Sequence, residues 1–195
     1  AMMEGHFGKI SDGRVVSGSQ DNTLRVWDSS TGTCEHVLEG HSSDIISLVV
    51  LSDGRVVSGS DDSTLRVWVS STGACDHVLE GHGGSITYLV VLSDGRVVSG
   101  SRDCTLRVWD CSTGVCDHVL EGHSDGIKSL VVLSDGRVVS GSKDKTLGVW
   151  DCSTGACDHV LEGHSDHIKT LVVLSDGRVV SGSKDKTLRV WDCST

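Results

Sequence analysis

The sequence predicts an all-β protein built from tandem copies of one small sheet, and three observations support that prediction. Five tryptophans recur every 41 residues, at Trp27, Trp68, Trp109, Trp150 and Trp191. Each interval holds short apolar runs separated by tight-turn signals, without the apolar spacing of a helix. The copies drift little, since residues 82–122 and 123–163 agree at 32 of 41 positions. One such unit cannot bury its own apolar surface, so the copies are expected to stack.

Each unit reads as four strands. In residues 41–81 the predicted strands are 45–51, 56–60, 64–68 and 75–80. The first two are joined through Asp53-Gly54, a strong signal for a tight hairpin. Apolar content falls from the first strand to the fourth, which suits a sheet with its first strand innermost and its fourth at a rim. Four-stranded sheets set radially around an axis satisfy this gradient, so the sequence predicts a β-propeller.

The period divides the chain into about five blades of one propeller domain. The predicted blades are 1–40, 41–81, 82–122, 123–163 and 164–195. The first has a degraded start, where Ala1 and Met2 are also consistent with a cloning remnant, and the last lacks its outer strand. Residues 187–191 are therefore expected to form an open edge that invites pairing with another chain. Self-association is favoured, while closure of five blades within one chain and a longer parent protein remain alternatives.

Composition narrows the classes of function. The formal charge of -10 argues against a nucleic-acid binder, which needs a basic footprint. No apolar stretch approaches the length of a membrane span, and no signal peptide is visible. Eight cysteines in a cored domain of this kind read as reduced thiols, which predicts a cytoplasmic or nuclear protein. The complete absence of proline among near-identical repeats indicates either recent amplification of one unit or deliberate design.

Two dipeptides recur at fixed places in the units. Gly-His opens four of them and Trp-Asp ends the third strand of four, the pairs being Gly40-His41, Gly81-His82, Gly122-His123 and Gly163-His164, then Trp27-Asp28, Trp109-Asp110, Trp150-Asp151 and Trp191-Asp192. The chain thereby resembles the WD-repeat family over essentially its whole length. It departs from the pattern at Val69, which follows Trp68, and at Gly5-His6, which is out of register. The resemblance implies a rigid propeller that presents loops to other proteins and needs no cofactor.

The resemblance also implies a hydrogen-bonded tetrad of side chains in each blade. The matching sets are His41, Ser58, Asp62 and Trp68; His82, Ser99, Asp103 and Trp109; His123, Ser140, Asp144 and Trp150; and His164, Ser181, Asp185 and Trp191. The first unit keeps only Ser17, Asp21 and Trp27. Indole donates to serine, serine to one imidazole nitrogen, and the other nitrogen to the carboxylate, so every member is satisfied. Four copies with a capped serine favour architecture over a catalytic triad, so no catalytic residue and no enzyme are predicted.

A second recurring pattern is Cys-x-His on the outer strand. The pairs are Cys34 and His36, Cys75 and His77, Cys116 and His118, and Cys157 and His159. Spacing of two places each pair on one face of its strand. A zinc site needs about four convergent ligands. A half-buried rim strand is therefore the preferred interpretation and no metal is predicted, with zinc and a Cys111–Cys116 disulfide as alternatives.

The units differ mainly in two stretches, the residues after Gly-His and the turn between the second and third strands. In WD-repeat propellers these loops share one face, which the family uses to bind partners. Non-repeating cations of the third to fifth units concentrate there. The predicted partner-binding face consists of Arg102, Lys128, Lys143, Lys145, His167, Lys169, Lys184 and Lys186. Solvated turn lysines are the competing interpretation. A lectin-like propeller is a further alternative, although Phe7 and Tyr88 are the chain's aromatic residues outside the tryptophan column.

Overall fold

The computed structural model describes residues 7–10 and 12–193. In this part of the chain nineteen strands form five antiparallel sheets. In chain order the strands are β1 (Phe7–Lys9), β2 (Arg14–Gly18), β3 (Leu24–Asp28), β4 (Cys34–Leu38), β5 (Ile45–Val50), β6 (Val56–Ser60), β7 (Leu65–Val69), β8 (Ala74–Leu79), β9 (Ile86–Val91), β10 (Val97–Ser101), β11 (Leu106–Asp110), β12 (Val115–Leu120), β13 (Ile127–Val132), β14 (Val138–Ser142), β15 (Leu147–Asp151), β16 (Ala156–Leu161), β17 (Ile168–Val173), β18 (Val179–Ser183) and β19 (Leu188–Trp191). Between residues 7 and 193, as far as they are described, no helix is long and apolar enough to cross a membrane.

Each sheet is a meander in which consecutive strands pair. The sheets are β1-β2-β3-β4 (blade 1), β5-β6-β7-β8 (blade 2), β9-β10-β11-β12 (blade 3), β13-β14-β15-β16 (blade 4) and β17-β18-β19 (blade 5). The predicted all-β propeller and its three-stranded last blade are confirmed. The expectations for Ala1, Met2 and Gly5-His6 lie outside the described residues.

The first strand of each sheet is its innermost strand, as the apolar gradient predicts. β5 contacts β9, β9 contacts β13, and β13 contacts β17, so the first strands line up around the axis. The second strands are the most deeply buried, since β6, β10 and β14 are buried at every residue. They lie inside the sheet and neighbouring blades cover both their faces, whereas the more apolar first strand forms the inner edge.

The hydrophobic core lies between the blades. Each blade has a leading face, which points to the next blade in the chain, and a trailing face, which points to the previous one. Each apolar cluster joins the leading face of one blade to the trailing face of the next. At the junction of blades 2 and 3, Leu65 and Val67 of the leading face pack with Val97 and Trp109 of the trailing face. Equivalent clusters fill the other three junctions among the described residues. Stacking is therefore what buries the apolar surface of each unit.

A glycine in the second strand lets neighbouring blades approach closely. A Cβ atom at Gly59 would lie 2.5 Å from the side chain of Ile86 in the next blade. The corresponding glycines of blades 1, 3 and 4 meet the equivalent isoleucine at 2.5–2.6 Å. Any larger residue would push the two sheets apart, which explains why Ser-Gly-Ser recurs in this strand.

Candidate functional site

The four side chains of each predicted tetrad meet inside their blade. In blade 3 His82 Nδ1 lies 2.7 Å from Asp103 Oδ2, and His82 Nε2 lies 2.8 Å from Ser99 Oγ. Trp109 Nε1 donates to the same serine oxygen at 2.8 Å. Blades 2, 4 and 5 repeat these contacts at 2.6–2.8 Å. The geometry suits a neutral imidazole that donates from Nδ1 to the carboxylate and accepts at Nε2.

A threonine and a backbone amide extend each tetrad. Thr105 donates its backbone N–H and its hydroxyl to Asp103 Oδ1 at 2.9 and 2.8 Å, and Gly83 donates its N–H to Oδ2 at 2.8 Å. The carboxylate therefore ties together the loop after Gly-His, the turn before the third strand, and the histidine. The threonine is absent from the predicted tetrads, although Thr recurs in all five units directly before the third strand.

Burial and hydrogen bonding fix the charge states of the tetrads. Burial lowers the pKa values of His41 and His82 below 6.5, against the opposing effect of the neighbouring carboxylates. Burial alone would raise the pKa of Asp62, but hydrogen bonds from Ser42, Thr64 and His41 lower it to about 2. Blades 2 and 3 are thus each held by a neutral histidine and an ionised aspartate, so no unpaired charge is buried there.

The tetrad serines have no access to a substrate. Ser58, Ser99, Ser140 and Ser181 are all 0% exposed. Each hydroxyl oxygen accepts a hydrogen bond from an indole N–H and lies against a histidine nitrogen. A nucleophilic serine would need an open approach to a reacting carbonyl, which this packing denies.

Blade 1 keeps only part of the tetrad. Trp27 Nε1 donates to Ser17 Oγ at 2.9 Å, as in the other blades. Asp21 instead accepts hydrogen bonds from Thr23 and pairs with Arg25 at 2.8 Å on the surface. Among the described residues no histidine contacts Asp21, so its carboxylate is held by Thr23 and Arg25 instead.

The two variable stretches of each blade lie side by side. The backbone N–H of Arg102 donates to the carbonyl of Ser85 at 2.9 Å, and that of Lys143 donates to Gly126 at 3.0 Å. Blades 2 and 5 have the same bond, at 3.0 and 2.9 Å. The residues that vary after Gly-His and in the turn between second and third strands thus form one surface, here called the loop face.

Three of the predicted cations, Arg102, Lys143 and Lys169, lie close enough to a fourth, Lys128, to act on its charge. Lys128 is half-buried, and its pKa is lowered first by burial and then by the charges of Lys143, Arg102 and Lys169. The backbone of Arg102 also packs against the loop of the next blade, where a Cβ atom at Gly126 would lie 3.2 Å from the Cα atom of Arg102. Arg102, Lys128, Lys143 and Lys169 therefore form a cation cluster across blades 3 to 5.

The remaining predicted residues extend the loop face. Lys145, Lys184 and Lys186 are exposed in its turns. His167 is half-buried, and its Nε2 lies 3.7 Å from Asp166 Oδ1. The face is not purely basic, because Asp61 approaches Arg102 to 4.0 Å and Asp125 lies near Lys128.

An arginine in the first hairpin of a blade fastens it to the next blade. Arg55 pairs with Asp53 at 2.8 Å and donates from Nη1 to the carbonyl of Cys111 in blade 3 at 2.7 Å. Arg14 and Arg96 make the same bonds to Ser70 and Cys152 at 2.6 and 3.0 Å. The sequence predicts only a turn at Asp-Gly-Arg, because nothing local shows which carbonyl of the next blade the arginine reaches.

The cysteine columns separate by burial. Cys111, Cys152 and Cys193 are 2–3% exposed, whereas Cys34, Cys75 and Cys157 are exposed. All eight thiols are free, so the Cys111–Cys116 bridge is not formed. Within the described ranges, no three His, Cys, Asp or Glu side chains are placed to hold a metal ion together.

The outer-strand histidines contact the neighbouring blade. A Cβ atom at Gly114 would lie 3.0 Å from His77 Nδ1, and one at Gly155 would lie 2.9 Å from His118 Nδ1. The imidazole of His118 also lies 3.2 Å from the carbonyl of Ser153 in the next blade. These rings therefore cover the turn of the following blade, which explains the glycine at that position.

Radially stacked antiparallel sheets with a buried tetrad in four of them define the chain as a repeat β-propeller. The family described as WD domain, G-beta repeat matches it at residues 3–28, 32–69, 73–110, 114–151 and 155–192. The chain therefore belongs to the WD40 family. The WD40 β-propeller domain of Doa1 superposes with a TM-score of 0.79 at 26% identity, over 95% of this chain and 62% of that one.

Curated relatives align over about one repeat. WD repeat-containing protein pop1 of Schizosaccharomyces pombe is 53% identical over 36 residues, 18% of this chain and 5% of the relative. Cell division control protein 4 of Saccharomyces cerevisiae is 49% identical over 39 residues, 20% of this chain and 5% of the relative. Ribosome assembly protein 4 of Chaetomium thermophilum is 38% identical over 42 residues, 22% of this chain and 8% of the relative. The alignments thus span a small fraction of these proteins.

Proposed function

We propose that this chain is a non-catalytic scaffold that binds another protein through its loop face. One observation carries the proposal: the residues that vary between near-identical units are neighbours on a single surface, above a frame that hardly varies. Binding residues concentrate on loops that a rigid scaffold positions, and the loop face has this arrangement. WD40 propellers generally bind other proteins, which supports the same function.

The cation cluster indicates the chemistry of the partner. Arg102, Lys128, Lys143 and Lys169 concentrate positive charge on a chain whose net charge is -10. Such a patch attracts an acidic segment and orients it during encounter. Nucleic acid fits less well, because no aromatic side chains are interleaved with the lysines for base stacking. We propose a location in the cytosol or nucleus, away from membranes.

The test combines a defined probe with charge-matched variants. Lys143, Lys145, Lys184 and Lys186 are changed to Gln, which removes four charges from the loop face. The control changes Ser52, Ser93, Ser134 and Ser175 to Glu, which alters the net charge equally in the exposed first-hairpin turns. Fluorescence anisotropy measures binding of a labelled oligo-glutamate peptide. The lysine variant is expected to bind about tenfold more weakly than both the control and the unmodified chain.

Interaction proteomics separates the scaffold function from its alternatives. Affinity capture of the unmodified chain and both variants from cells of the source organism should yield partners that the lysine variant loses and the serine control retains. Equal capture by all three would contradict binding through the loop face. Capture of no partner would favour an amplified or designed array without a ligand, and binding on a glycan array would favour a lectin.

A further inference from the structure

The leading face of blade 5 is open, although the same face is closed in every other blade. Leu24, Leu65, Leu106 and Leu147 are all 0% exposed, because the next blade covers them. Leu188 occupies the same position in blade 5 and is 74% exposed. Val190 is 54% exposed, while its counterpart Val149 is 0% exposed. Side chains that form the core elsewhere therefore make an exposed apolar patch here.

The inter-blade arginine marks the same open face independently. The side chains of Arg55, Arg96 and Arg137 are 22–23% exposed beside the blade that follows each of them. The side chain of Arg178 is 53% exposed, and it keeps its ion pair with Asp176 at 2.6 Å. Its guanidinium is therefore positioned toward a neighbouring blade that the described residues do not supply.

The trailing face of blade 1 is open in the complementary way. Val15 is half-buried, whereas Val56 at the same position is 0% exposed. Trp27 is half-buried and Ser29 is exposed, while Trp109 and Cys111 at these positions are 1% and 2% exposed. Among the described residues, blades 1 and 5 make no contact comparable to that between consecutive blades. Both halves of a blade junction are thus present and unpaired.

We propose that the leading face of blade 5 binds the trailing face of blade 1 in a second copy of this chain. The four internal junctions show that these two kinds of face fit each other. Arg178 would donate to the carbonyl of Ser29, as Arg14 donates to Ser70 and Arg55 to Cys111. Two different surfaces meet, so the contact is heterologous and joins the copies head to tail.

This arrangement differs from the edge pairing that the sequence analysis expects at residues 187–191. Edge pairing adds a strand to the sheet and uses backbone hydrogen bonds. Face docking instead buries Leu188 and Val190, which point out of the sheet. It also engages Arg178, which belongs to the first hairpin of the blade and not to that edge strand. The proposal is independent of the loop face and of any partner bound there.

The test uses two variants of the 195-residue chain, each with one face disabled. Leu188→Asp with Val190→Asp disables the leading face, and Val15→Asp with Ser29→Arg disables the trailing face. Val119→Asp with Val160→Asp is the control, because both valines are exposed on outer strands, at 41% and 57%, away from the junctions. Light scattering coupled to size exclusion gives the mass against 20.6 kDa for one chain. Circular dichroism checks that each variant folds.

The expected results distinguish head-to-tail docking from every other contact. The unmodified chain and the control should associate as concentration rises from low micromolar to near millimolar. Each face variant alone should stay monomeric, and an equal mixture of the two should form a dimer that grows no further. If Val15→Asp prevents folding, the same experiment uses Ser29→Arg alone as the trailing-face variant and Arg178→Glu alone as the leading-face variant. A monomeric unmodified chain, a trailing-face variant that still associates, or a mixture that stays monomeric would each overturn the proposal.

Discussion

Removal of one tetrad carboxylate tests whether the tetrads hold the blades. Asp144 accepts hydrogen bonds from His123 Nδ1 at 2.6 Å, Ser124 N at 3.0 Å, and Thr146 N and Oγ1 at 2.9 and 2.7 Å. Asp144→Ala leaves the imidazole N–H of a histidine side chain that is 3% exposed and two backbone N–H groups, those of Ser124 and Thr146, without their acceptor. Ser124 is exposed, so water can replace the acceptor of its N–H. Each stranded donor costs about 1–3 kcal/mol. The Thr146 hydroxyl lies 3.3 Å from His123 Nδ1 and can accept its hydrogen bond, which offsets part of this cost.

The expected net loss of unfolding free energy is about 2–4 kcal/mol. For a chain of this length that loss lowers the melting temperature by about 5–15 °C, measured by circular dichroism or calorimetry. Asp21→Ala is the matched control, because Asp21 holds the same position in blade 1 and no histidine contacts it among the described residues. Its side chain is 45% exposed, and its loss should stay below about 1 kcal/mol. Equal losses at the two sites, or none at Asp144, would refute the structural role of the histidine–carboxylate pair.

Three further perturbations test the junctions, a turn and the tetrad titration. Gly155→Ala should lower the free energy of unfolding by about 2–4 kcal/mol and Gly32→Ala by about 1 kcal/mol, as measured by urea denaturation. Both glycines have a positive φ, but only Gly155 faces His118. Equal losses would exclude a packing role for the imidazole. Lys145 has a φ of 77°, in the left-handed region that asparagine tolerates better than lysine. Lys145→Asn should therefore raise the melting temperature by about 1–2 °C, and a decrease would contradict this. The pKa of His82 is depressed by burial, so the unfolded chain binds its proton first as pH falls. The stability it contributes is present above pH 6.5 and is lost as pH falls through the folded pKa, and a urea midpoint unchanged between pH 7 and 5 would rule this out.

The sequence predicts the features that lie within one repeat unit, and it misses the contacts that join two units. The tryptophan period and the Asp-Gly turns suffice for the sheets, because strand order within a meander follows from local signals. The members of each tetrad lie within one unit, so a family pattern can place His82 beside Asp103. The bond from Arg55 to the carbonyl of Cys111 spans 56 residues and depends on how two sheets are stacked. No signal within a single unit specifies that alignment.

Leu106 and Leu188 show this limit most directly. Both follow threonine and precede Arg-Val-Trp-Asp-Cys, so every local signal around them is the same. One is fully buried and the other is 74% exposed. The difference arises from whether another blade lies against the leading face, since in a repeat protein stability is a sum of units and interfaces. The same side chain is therefore buried at one position and exposed at another, and only the assembled structure distinguishes the two.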